Sequence, residues 1–261
     1  MMRCCEELIR YREILYMLTW RDIRIKYKQS VMGFMWAILM PMIIVSAGIL
    51  VKIGFAKISG SPFTLSQVAS VSVKAIPWSF FISSIRFATT SLTLNINLVT
   101  KIYFPREIFP ISSVLSQLFD FIVASCLLTI ILSIAGIGLS IYILWVPVLV
   151  FLLIMLTMAL SMLLSAANLF FRDVKYIVEV IVTFAIFFTP VFYEAELMGK
   201  WKTLLLLNPV APILEGLNDC IVLRQMPELN WIAYSGLFSL GLIVFSYTFF
   251  KKLEPAFAES I

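Results

Sequence analysis

The 261-residue sequence predicts an all-α, polytopic membrane protein, and three observations carry that prediction. Hydrophobic residues make up 61% of the chain and charged residues 13%, with a mean hydropathy of +1.00. A soluble domain is nearer half apolar and about a quarter charged. Six apolar runs are each long enough to cross about 30 Å of hydrocarbon at about 1.5 Å per helical residue. Basic residues gather at one end of these runs. Residues 1–261 leave room for no separate soluble domain and read as a single transmembrane domain.

Residues 1–30 read as a cytoplasmic, amphipathic interface segment. Leu8, Tyr11, Leu15 and Leu18 are spaced three, four and three, with Glu6, Glu7, Arg10 and Glu13 away from that stripe. Further on, Arg21, Arg24, Lys26 and Lys28 accompany Trp20, Ile23 and Tyr27, which lie three and four apart on another face. Such a helix lies flat at a membrane surface, as a topogenic anchor or as a docking face for a partner. Arg3, Glu6, Glu7, Arg10 and Arg12 stand where a signal peptide needs an apolar core, so the first span is expected to direct insertion itself.

Residues 31–250 hold six predicted spans: Val31 to Phe55, Ile76 to Val99, Ile111 to Ala135, Ile141 to Phe170, Tyr176 to Phe192 and Trp231 to Phe250. The fourth is long enough that it must tilt or project from the bilayer. Residues 251–261 form the tail. Of the 20 basic residues, seven precede Val31 and six more (Lys101, Arg106, Arg172, Lys175, Lys251 and Lys252) fall on the same predicted side. Only Lys52, Lys57, Lys74, Lys200, Lys202 and Arg224 fall on the other, which predicts both termini inside. Thr203 to Leu223 has the length of a seventh span but contains Asn208, Pro209, Pro212, Glu215, Asn218 and Asp219. Crossing there would put Lys251 and Lys252 outside. A broken, re-entrant pair of short helices on the outer side is expected instead, since irregular backbone at membrane depth needs protein or water around it.

The loop Val99 to Pro110, VTKIYFPREIFP, brackets Arg106 and Glu107 between two prolines, and Pro105 is placed to start the next helix rigidly. Read alone it is either a plain cytoplasmic turn or a force-transmitting element. Arg86 and Asp120 are the ionisable residues deep in the predicted spans. Burial favours pairing between them, with contact between Arg86 and an anionic headgroup or sugar as the other reading. Phe34 and Trp36 in the first span and Phe184, Phe187, Phe188, Phe192 and Tyr193 in the fifth are lipid anchors, packing, or a sequence-tolerant wall on which sugar rings stack.

Several chemistries are excluded or unsupported. The chain has no His, so the commonest general base and metal ligand is missing. Cys4, Cys5, Cys126 and Cys220 form no metal-ligand spacing. No G-x-x-x-x-G-K-[ST] loop is present to hold ATP, and neither a G-x-S-x-G elbow nor a Cys/His pair offers a nucleophile. The net charge of +5 is explained by topology and anionic lipid rather than nucleic acid.

The block RDIRIKYKQSVMGFMW opening a short six-span chain resembles the ABC-2 type permease subunits of ABC exporters for bacterial cell-surface polysaccharides. The Wzm-type O-antigen exporters are nearest, and capsule and teichoic acid exporters are related. Tyr103 to Ile108 (YFPREI), Asn168 to Val174 (NLFFRDV), Leu207 to Leu217 (LNPVAPILEGL) and Leu253 to Ala258 (LEPAFA) extend the resemblance over nearly the whole chain. The resemblance implies a non-enzymatic permease in the bacterial inner membrane. It implies a homodimer with two copies of a cytosolic ATPase that holds the ATP and Mg, exporting lipid-linked polysaccharide. It makes Arg21, Asp22, Arg24, Tyr27 and Lys28 an interface helix, and Tyr103, Pro105, Arg106 and Glu107 a coupling helix seated on the ATPase. Asn208, Pro209, Pro212 and Glu215 would form an outer gate, and Phe34, Trp36, Phe184, Phe187, Phe188 and Arg86 the substrate path. The competing class is a membrane-embedded polyprenyl-linked sugar transferase, for which acidic residues such as Asp173 and Glu179 are too sparse. A small-molecule exporter of the same type is a further alternative.

Overall fold

The computed structural model describes residues 10–28, 33–59, 64–101, 104–137 and 140–258, and no strand occurs among them. In chain order the helices are α1 (Arg12–Lys28), α2 (Trp36–Ser59), α3 (Leu65–Leu94), α4 (Ile96–Lys101) and α5 (Ile108–Ile134). They are followed by α6 (Val146–Phe170), α7 (Val174–Ala185), α8 (Lys202–Leu206), α9 (Val210–Asn218) and α10 (Leu229–Leu253). Five stretches are long and apolar enough to cross a membrane: Trp36–Gly54, Leu65–Leu94, Ile108–Ile134, Ile141–Phe170 and Leu229–Phe257. The chain is therefore a multi-pass helical membrane protein.

The central member is α3, which touches α2, α5, α6, α7 and α9. In its most apolar stretch 78% of residues are buried, against 11 to 33% in the other four, so the rest of the bundle wraps around it. Two buried threonine hydroxyls are satisfied within their own helices: Thr89 Oγ1 donates to Ile85 O at 2.6 Å and Thr157 Oγ1 to Leu153 O at 2.6 Å. That arrangement suits a solvent without hydrogen-bonding partners.

The end of the bundle that holds α1, the proximal end, has its own apolar cluster. Leu18 of α1, Phe104 and Ile108 around the start of α5, and Phe250 and Phe257 at the end of α10 are buried in it together. The predicted stripe of α1 accounts for this, since Tyr11, Leu15 and Leu18 all turn inward. Leu8 lies outside the described residues.

Two predicted spans differ from the structure. The second begins not at Ile76 but at Leu65, and Lys74, expected in an outer loop, is fully buried within α3. The fifth, Tyr176 to Phe192, is not one long helix. Its helical part, α7, has 12 residues, roughly 18 Å of rise. Turns and bends occupy residues 186–193, where Pro190 has no N–H to continue a helix. Thr189 Oγ1 donates to Ala185 O at 2.9 Å and Tyr193 Oη to Phe187 O at 3.0 Å, closing that turn. This broken segment still leads the chain to the distal end, where Lys74 Nζ donates to Tyr193 O at 2.7 Å.

The expected broken helices over Thr203 to Leu223 are present as α8, α9 and a π turn at Asp219–Leu223. The segment starts and finishes at the same end, since Lys202 Nζ lies 2.6 Å from Glu228 Oε1.

Candidate functional site

At the proximal end, Pro105, Arg106 and Glu107 form the turn that opens α5, with Ile108 N–H donating to Pro105 O at 3.3 Å. The only helix in this loop among the described residues is the six-residue α4 that precedes it, and Tyr103 lies outside the described residues. Arg106 is half-buried. Its N–H donates to Glu254 Oε1 at 3.1 Å, its guanidinium donates to the Glu254 carbonyl, and its Cζ sits 5.8 Å from the Phe257 ring. Glu107 was expected on the partner-facing surface, but it is fully buried, with Oε1 at 2.9 Å from Lys251 Nζ. Its position one residue before α5 turns its side chain toward α10. Burial pushes its carboxyl above the usual carboxylate range, and the Lys251 ammonium opposes that shift.

The outward face of α1 is apolar and basic. Tyr16, Met17, Trp20 and Ile25 are exposed, Arg24 lies 5.2 Å over the Trp20 ring, and Lys28 is exposed. Arg21 and Asp22 pair with each other at 2.9 Å. The last turn of α1 reaches inward. Lys26 Nζ and Tyr27 Oη both bind the Asp120 carboxylate, and Lys26 also donates to Gln117 Oε1 at 3.0 Å. Burial, and then the hydrogen bond to Asp120, raise the Tyr27 hydroxyl above its ordinary value, so it stays protonated and can donate to that carboxylate.

That contact overturns the expected pairing of Arg86 with Asp120. Arg86 Nη2 instead lies 2.7 Å from Glu179 Oε1 of α7 and donates to Thr183 Oγ1 at 3.2 Å. Both side chains are partly exposed, at 41% and 55%. A cavity of about 530 Å³ opens between α2, α3 and α5, lined by Trp36, Met40, Ile76, Phe80, Arg86 and Asp120 among others. Trp36 and Arg86 therefore line the same cavity. Phe184, Phe187 and Phe188 do not line it, and stand 58%, 66% and 71% exposed on the surface of α7 and the following turn. The side chain of Phe34 lies outside the described residues.

At the distal end, Glu215 of α9 is held by Lys74 at 3.5 Å and by the Ala195 N–H at 2.9 Å. Lys52 of α2 pairs with Glu194 at 3.0 Å. Asn208 accepts from the Val210 N–H at 3.2 Å, fixing the start of α9, and donates to Thr189 at 2.9 Å. Pro209 O accepts from Ser235 Oγ at 2.9 Å, and Pro212 is buried in α9. Asn208, Pro209, Pro212 and Glu215, the residues expected at an outer gate, thus lie together in one group of short helices. The pairings made by Lys74, Lys52, Glu194, Lys26, Glu179 and Glu254 were not read from sequence. Only Lys52 and Lys74 carried a signal, as cations close to long apolar runs.

Long apolar helices wrapped around α3, with a helix carrying an exposed apolar and basic face at one end, define a multi-pass helical membrane protein. The ABC-2 type transporter family matches residues 13–222 of the chain. The chain belongs to that family, and is a transporter membrane subunit rather than an enzyme. It is 26% identical to the O-antigen export system permease protein RfbA of Myxococcus xanthus, over 100% of both chains. It is 25% identical to RfbA of Klebsiella pneumoniae, over 95% of this chain and 94% of that one.

Proposed function

We propose that the chain is the permease of an ABC exporter that carries a lipid-linked cell-surface polysaccharide, O-antigen in the first instance, across the bacterial inner membrane. The observation that carries this reading is the end-to-end similarity to O-antigen export permeases named as such in two organisms. Two copies of the chain form the membrane part, and two copies of a cytosolic ABC ATPase hold ATP and Mg.

The layout has six crossings with both termini cytoplasmic, five by long helices and one by α7 with its turn. It is supported by the shared cluster of α1, the start of α5 and the end of α10 at one end of the bundle. Pro105, Arg106 and the exposed face of α1 meet the ATPase, while Glu107 braces that contact from inside. The partly exposed pair of Arg86 and Glu179 supports a wet face on α3 and α7, because lipid offers no partner to exposed charge. Phe184, Phe187 and Phe188 extend from it as the polymer-facing wall, and Asn208, Pro209, Pro212 and Glu215 close the outer end.

The test is genetic and biochemical together. Cells without the chain should retain finished polysaccharide on the inner face of the membrane and display none outside, and the purified chain should carry ATPase activity only with a second protein. Normal surface display without the chain would overturn the reading.

A further inference from the structure

The short helices of the distal end enclose a cavity of about 50 Å³. Glu215, Asn218 and Asp219 line it from α9 and the π turn that continues α9, and their spacing of three and four residues puts them on one helical face. Glu194 and Glu196 line it from the segment before α8, Lys202 from the start of α8, and Glu228 and Trp231 from the beginning of α10.

Two independent observations mark a ligand site. The first is an excess of negative charge. Five carboxylates line the cavity, and three cations meet them: Lys52 lies 3.0 Å from Glu194, Lys74 lies 3.5 Å from Glu215, and Lys202 lies 2.6 Å from Glu228 and 3.9 Å from Glu196. Asp219 is in no ion pair among the described residues, and its carboxylate accepts from Gln225 Nε2 at 2.9 Å. Burial raises the carboxyls of Glu215 and Asp219 above the usual range, so negative charge is disfavoured there unless a cation offsets it. The second observation is Asn218 Oδ1. That side chain is 1% exposed, and the oxygen has no hydrogen-bond partner among the described residues. A buried acceptor of this kind calls for a donor in the cavity. Water would satisfy Asn218 but would leave the charge excess in place.

Size and walls narrow the ligand further. The cavity holds one or two water-sized groups, at roughly 30 Å³ for a water in the liquid, which is too little for a sugar ring or a trimethylated ammonium. No group of three or more carboxylate or thiol side chains among the described residues is placed to hold a metal ion. The rest of the wall is Leu206, Pro212, Leu223 and the Trp231 ring, which suit carbon beside a cationic nitrogen.

We propose that the distal cavity binds one primary ammonium group, its N–H donors on the Asp219 carboxylate and Asn218 Oδ1 and its adjoining CH2 against Trp231. An ethanolamine lipid headgroup and a soluble amine both present this end. The bound cation bridges α9 to the start of α10. The inference goes beyond the export reading and does not rest on it, since binding is measured without transport and either can fail alone.

The test is the midpoint temperature of the full chain in phosphatidylglycerol nanodiscs, titrated with ethanolamine and, at equal ionic strength, with choline. Ethanolamine should raise the midpoint saturably, whereas choline, which has no N–H to donate, should not. Asp219→Asn keeps the size and removes the charge, and should raise the half-saturating ethanolamine concentration about tenfold or more. Leu223 lines the cavity and is 49% exposed, so Leu223→Trp plugs it from the surface and should abolish the response even if Asp219→Asn folds poorly. Nanodiscs that also contain phosphatidylethanolamine separate the sources: a headgroup already in the site leaves no further rise, and an undiminished rise assigns the site to a soluble amine. No saturable rise, an equal rise with choline, or an unchanged rise in Leu223→Trp would overturn the site. A rise with calcium chloride and none with ethanolamine would overturn the ammonium assignment.

Discussion

Glu107 and Lys251 meet 2.9 Å apart and join the turn that opens α5 to the last turn of α10. The carboxylate is fully buried and the ammonium partly exposed, so the pair works as an internal clamp. Glu107→Ala should lower the unfolding free energy in detergent by about 1 to 3 kcal/mol, read as a fall in midpoint temperature. Burial holds the Glu107 carboxyl above its ordinary 4.5, so the folded chain keeps a proton that the unfolded chain releases. That contribution is present at low pH and lost as pH rises through the folded value. Lys251→Met removes the opposing attraction, and its stability should rise from neutral pH to about pH 5 relative to wild type. A flat difference would argue against the clamp.

The contact of Lys26 and Tyr27 with Asp120 ties α1 to the middle of α5. In a double-mutant cycle, Lys26→Met with Asp120→Asn should show a coupling of about 0.5 to 3 kcal/mol. Tyr27→Phe should cost less than either charge deletion. Additive single effects would mean that the helix and the bundle are energetically separate.

Close packing of α2 on its neighbours depends on Gly48. A Cβ there would come within 2.5 Å of Val71 Cγ1 and 2.6 Å of Phe192 Cδ1. Gly48→Ala should destabilise by about 1 to 3 kcal/mol through overpacking. Shortening the flexible partner in Gly48→Ala with Phe192→Ala should recover part of the loss, and no recovery would place the strain at Val71.

Topology is checked by single cysteines at exposed positions. Lys200→Cys should react with an impermeant thiol reagent added outside intact cells, and Lys252→Cys only after permeabilisation. Labelling of both from one side would refute the single crossing by α10 between them.

For the exposed aromatics, Phe187→Ala and Phe188→Ala should reduce export of long chains several-fold while leaving membrane insertion unchanged. A photocrosslinker at either position that captures only lipid would remove them from the path.

Length and hydropathy made the long helices legible, and helical spacing identified the buried stripe Tyr11, Leu15 and Leu18. The start of α3 was misplaced because Lys74 reads as a loop cation in isolation. Its partners Glu215 and Tyr193 lie more than a hundred residues away in sequence. A signal did exist: Thr64 and Gln67 have the T-x-x-Q spacing of a capping box, and the Thr64 N–H donates to Gln67 Oε1 at 3.4 Å. The break after α7 was foreshadowed by Pro190 inside the predicted span. The partners of Arg86 and Asp120 were not legible, because burial says that a charge needs company without saying which helix supplies it.

Lys52 and Lys74 rise from neighbouring helices, and each grips a different point on the stretch from Tyr193 to Glu215. Two fastenings on separate struts behave differently from one. A cap hung from a single strut can swing freely, whereas a cap fixed to both must follow their relative displacement. Any sliding of α2 against α3 would thus be converted at the distal end into a tilt of the cap, with no messenger needed between them.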